Sequence, residues 1–88
     1  MKYICLDLRN KMTIAKVHEV LKVMLEVPDY YGNNYNAIYD ELTSIQENIE
    51  INVIAKEAEL EKWETLRRVL ADAANVNGYI TLRGKVIK

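Results

Sequence analysis

Three short runs in this chain repeat with a period of two, and stretches of helical period separate them. Ile4, Leu6 and Leu8 alternate with Tyr3, Cys5 and Asp7; Ile49, Ile51 and Val53 alternate with Glu50 and Asn52; residues 79–83 alternate again. Period two puts every second side chain on one face of a strand. Ile14, Val17, Leu21, Met24 and Leu25 form one helical stripe, and Tyr35, Ile38, Leu42 and Ile45 a second. Leu60, Trp63, Leu66, Leu70 and Ala73 form a third, across residues that fit one helix or two short ones. Strands joined through helices run parallel, because only a hairpin makes antiparallel neighbours cheap. Parallel strands covered on both faces read as unbroken apolar runs, and these do not. The pattern predicts an α/β fold: a small parallel sheet with helices packed mainly on one face, in two layers.

The punctuation agrees with this order. Thr13 can cap the first helix through its hydroxyl, and Pro28 closes that element. Residues 29–34 carry turn chemistry, with Gly32 tolerant of positive φ and Asn33 or Asn34 placed to cap the next helix, about residues 35–45. The spacing leaves Asn36, Tyr39, Asp40 and Thr43 on a face turned from the core. Glu64 faces Arg68 in the favourable i, i+4 order. Asn77-Gly78 reads as a helix stop, with Gly78 suited to the left-handed position, and residues 84–88 as a basic tail.

At 88 residues, half of them apolar, the chain is expected to be a single domain over residues 1–88 with one modest core. That leaves little room for a deep cavity and a catalytic apparatus together. Cys5 and His18 are the only residues of their kinds, so neither an intrachain disulfide nor a Cys/His metal cluster is available. No paired base and nucleophile stands out, so no catalytic residue, metal or cofactor is expected. Cys5 reads as a small strand hydrophobe and His18 as a structural residue beside the first stripe. Neither a secretory h-region nor a spanning run is present, and a reducing cytoplasmic setting is expected. A net charge of −1 excludes a globally basic footprint for nucleic acid.

That near-neutral total hides a local imbalance. Residues 23–55 hold six acids and no Lys or Arg, a net −6 against +5 for the rest. Four of the six tyrosines, Tyr30, Tyr31, Tyr35 and Tyr39, fall in the same stretch. Tyrosines offer rigid contact area with a polar tip, and a local acidic field steers a basic partner.

The run Pro28-Asp29-Tyr30-Tyr31-Gly32-Asn33-Asn34-Tyr35-Asn36-Ala37-Ile38-Tyr39-Asp40-Glu41-Leu42-Thr43 resembles the signature of the barstar family, intracellular inhibitors of barnase-type ribonucleases. The likeness extends upstream through Val17–Leu21 and covers residues 2–44. Beyond them it rests on element order, on Asp72 in the last helix and on Asn77-Gly78 before the final strand. The resemblance implies a three-stranded parallel sheet with packed helices, and a loop and second helix that plug a ribonuclease active site. It implies that Tyr30 and Asn34 match binding-loop positions, Tyr39 the helical aromatic, and Asp40 the carboxylate standing where a substrate phosphate binds. Asp72 matches an acidic contact on the last helix. The chain departs from the family at Asn36, where an acid is common, and at Tyr39, where Trp is common. The implied partner is a small basic ribonuclease bound by a chain that is monomeric when free, without direct nucleic-acid or membrane contact. An alternative on the same fold is a binding module directed at another toxin or at self-association.

Overall fold

A computed structural model describes residues 1–26 and 34–88. Strand β1 is Lys2–Asp7, helix α1 Ile14–Leu25, helix α2 Tyr35–Thr43 and strand β2 Ile49–Lys56. A 3-10 turn, Glu57–Glu59, then leads to helix α3, Glu64–Val76, and strand β3, Ile80–Ile87. The strands lie in the order β1-β2-β3, all parallel, with Ile4 opposite Ile51 and Ile51 opposite Leu82. The α/β expectation therefore holds.

Alternation decides the two faces. Ile4, Leu6, Ile49, Ile51, Val53, Ala55 and Ile80 are buried beneath the helices. Val17 and Leu21 of α1, Ile38 and Leu42 of α2, and Leu66, Leu70 and Ala73 of α3 close the core from above, with Trp63 at the entry to α3. On the other face Tyr3, Glu50 and Thr81 share one register row, and Cys5, Asn52 and Arg83 the next. Polar links cross it: Arg83 Nε donates to Glu50 Oε1 at 2.8 Å and Asn52 Nδ2 to Glu50 Oε2 at 3.3 Å. Cys5 is exposed there, which corrects its reading as a strand hydrophobe; it sits on the parity that no helix covers.

Several boundaries differ from the sequence reading. Strand β3 continues to Ile87, so residues 84–87 are not a tail; β2 offers partners as far as Lys56, opposite Ile87, and the ladder follows them. Helix α2 stops at Thr43 because hydroxyls take its last carbonyls. Thr43 Oγ1 donates to Tyr39 O at 2.9 Å and Ser44 Oγ to Asp40 O at 2.8 Å. Gly78 has no positive φ. The left-handed cap appears instead at Glu26, φ 53°, which closes α1 by donating its N–H to Lys22 O. Thr13 caps α1 as expected, accepting from Lys16 N at 3.3 Å. Glu64 and Arg68 pair at 2.9 Å.

Candidate functional site

Helix α2 begins with a side-chain cap. Asn34, extended at φ −143°, ψ 169°, accepts the N–H of Ala37 on Oδ1 at 2.8 Å, and its carbonyl accepts from Ile38 N at 3.1 Å. The cap satisfies one of the orphan donors of the first turn and fixes where the helix starts. Burial of Ile38 and Leu42 then fixes its rotation. Asn36 and Asp40, four residues apart, face solvent one turn from each other. Tyr39 is half-buried and packs against the core, which corrects its placement on a face turned from the core; it lies one turn beyond Tyr35 and flanks that stripe. Thr43 is likewise half-buried, its hydroxyl bonded to the carbonyls of Tyr39 and Asp40. Tyr30 lies outside the described residues.

Asp40 has no basic partner among the described residues. It stands in the last turn of α2, where the carbonyl end carries negative partial charge, and no basic residue occupies that turn. Glu41 adds a second acid at the same end. Among the described residues no basic side chain neutralises this end of the helix, which favours an approaching cation.

Asp72 stands on α3, which packs against α2. It is exposed, and the base one turn before it, Arg68, is already bonded to Glu64. The structure thus carries Asn34, Asn36, Tyr39, Asp40 and Thr43 on one capped helix and Asp72 on its neighbour. An open hollow of about 520 Å³, lined by Thr43, Ile45, Val76, Asn77 and Tyr79 among others, lies where the C-terminal ends of the two helices meet.

Asn77 was missed as a functional candidate. Only 7% exposed, it donates through Nδ2 to Leu42 O and to Ile45 O, both at 2.9 Å, and accepts Tyr79 N on Oδ1 at 3.0 Å. The signal was an Asn, rather than a Gly, directly after the last apolar position of α3.

His18 is 5% exposed. Burial, and then the charge of Lys22, hold its imidazole below the usual 6.5, which favours the neutral ring. It lines a second hollow of about 520 Å³ with Ile14, Lys22, Asn34 and Tyr35. Among the described residues no group of three His, Cys, Asp or Glu could hold a metal ion, and no helix is long and apolar enough to cross a membrane.

Comparison with known proteins gives this geometry a context. Over 43 residues the chain is 44% identical to a Bacillus subtilis (strain 168) protein named "Putative ribonuclease inhibitor YrdF", a match spanning 49% of this chain and 47% of that protein. The chain thus aligns with about half the length of this relative. The family described as Barstar (barnase inhibitor) matches residues 1–83, nearly the whole chain. Its fold, its helix α2 and its sequence from Met1 to Arg83 agree: this chain belongs to the Barstar family.

Proposed function

We propose that this protein inhibits a small basic ribonuclease by occluding its active site, with Asp40 standing in for an RNA phosphate. Family membership and the name of the Bacillus subtilis relative support ribonuclease inhibition in general. The observation that carries the finer reading is the state of Asp40: exposed on a capped helix, at its negative end, with no basic partner among the described residues. A ribonuclease must present Arg, Lys or His to a phosphate, and the same donors form charge-assisted hydrogen bonds to a carboxylate. An acid pre-placed on a short packed helix needs little ordering on binding. Asn36, Tyr39 and Thr43 surround that contact on α2, Tyr30 and Asn34 belong to it through the preceding loop, and Asp72 adds a peripheral charge from α3. No chemistry is required of the inhibitor itself, and none of its residues is assigned a catalytic role. It acts as a monomer, in the cytoplasm.

The test is titration of the protein into barnase and other small basic microbial ribonucleases while RNA cleavage is followed. Stoichiometric loss of cleavage, weakening as salt is raised, is the expected result. Undiminished cleavage by every ribonuclease tried would remove this function and leave the fold with another protein target.

A further inference from the structure

We propose that Asn77 is a positioning residue for partner binding: its buried amide locks the C-terminal end of α2 to the α3–β3 corner, so that Asp40 and Asp72 meet the partner as one rigid unit. The proposal rests on the function proposed above and deepens it.

Helix α2 has only nine residues, too few to hold its own geometry in water. Its orientation is set by what it touches. At its start the Asn34 cap and the burial of Ile38 hold it. At its end no basic side chain stands in the last turn. The neutral amide of Asn77 takes that place, reaching Leu42 O across 35 residues of chain and Ile45 O across 32. Both Nδ2 hydrogens are used, one on each carbonyl. The backbone of the same residue is also engaged, its N–H on Ala73 O at 2.9 Å and its carbonyl accepting from Ile80 N at 3.1 Å. One residue thus ties together the ends of α2 and α3 and the start of β3.

The two acids lie close to this junction along their helices. Asp40 precedes Leu42 by two residues, and Asp72 precedes Asn77 by five. Rotation or fraying of the last turn of α2 moves Asp40 relative to Asp72. A target with fixed cationic groups binds both acids well only if their separation is already correct, which is the benefit of pre-organisation.

The test compares the native chain with Asn77→Ala and Asn77→Ser, each first shown to be folded by circular dichroism, binding to barnase in stopped flow. Long-range charge is unchanged, so the association rate stays within about twofold, while dissociation speeds up by about tenfold in Asn77→Ala. A purely structural role would lower the unfolding temperature and leave dissociation of the folded protein alone. The coupling between Asp40→Ala and Asp72→Ala, measured as a double-mutant cycle, also falls when Asn77 is Ala. Dissociation within twofold of native in folded Asn77→Ala overturns the proposal.

A measurement on the native chain stands if the variants fail to fold. The Nδ2 protons of Asn77 should exchange slowly with solvent in NMR, and exchange as fast as in a free asparagine overturns the proposal. This readout uses no ribonuclease, so it separates the two claims. Slow exchange in a chain that binds no ribonuclease would sink the proposed function, and this role with it, leaving the amide as a fold contact.

Discussion

On the open face of the sheet, Asp7 is held by Arg9 at 2.8 Å and Glu50 by Arg83 at 2.8 Å; on the α2–α3 side, Asp40 and Asp72 have no basic partner among the described residues. The same residue type, aspartate, is neutralised at the sheet face and left open at these two positions on the helices. Asp7 takes its arginine from two residues along the chain and Glu50 from the adjacent strand β3, while Glu64 of α3 pairs with Arg68 one turn on. The open acids include Asp40, within the stretch 23–55 that contains no Lys or Arg at all. Pairing at the sheet face spends charge inside the molecule, and each exposed pair contributes little stability. The unpaired acids make no ion pair among the described residues, and Asp40 opposes the dipole of its own helix. Such an arrangement, which costs the free chain some stability, is what the proposed function requires of that face.

The contrast predicts its own failures. Asp40→Ala should weaken ribonuclease binding at least about 100-fold, because removing one member of a desolvated charge pair strands the other. Asp72→Ala should weaken it by less than about tenfold, the behaviour of a rim charge. Inhibition assays at fixed salt measure both, and equal losses would erase the distinction between centre and edge. In the free protein the effect of Asp40 reverses. Asp40→Asn removes an acid from the negative end of α2 and should raise the melting temperature by about 2 °C, read by calorimetry. A fall in melting temperature would mean that the carboxylate has a stabilising contact after all.

The smallest effect belongs to the sheet face. The Arg9 hydrogen bond holds the Asp7 carboxyl at about 2, against a usual 3.8. A carboxyl depressed on folding stabilises the native state at pH above its unfolded value. That contribution is complete above 3.8 and is lost as pH falls through about 2. Arg9→Ala should bring the titration of Asp7 back up toward the usual range, observed by NMR, and leave ribonuclease binding unchanged. A change in binding would show that the two surfaces are not independent.

What could be read from sequence was local, and what could not depended on distant neighbours. The three alternating runs, the Thr13 and Asn34 caps and the Glu64–Arg68 pair each involve residues a few positions apart. Gly78 was the natural choice for the stop after α3, since glycine tolerates the left-handed region. At the actual stop Asn77 donates its backbone N–H to Ala73 O, and its side chain reaches Leu42 and Ile45, which only the packing of α2 on α3 brings beside it. Lys85 and Lys88 made the end of the chain look solvated, yet the ladder to β2 carries the strand through Ile87. For the candidate site, the placement of Asn36 and Asp40 in solvent followed from helical spacing. That of Tyr39 did not, because a residue at the margin of a stripe turns inward or outward according to the space its neighbours leave.

The strands occupy the sheet in the order in which they are synthesised. Each new strand therefore adds to an edge already laid down, and no later segment has to be inserted between earlier ones. A chain emerging from the ribosome can assemble β1, α1, α2 and β2 before α3 and β3 have been made. The carbonyls at the end of α2 wait, however, for residue 77. Asp40 is therefore in place early but acquires its final setting only once residue 77 has been made, so a chain cut before it would carry that charge without the fit.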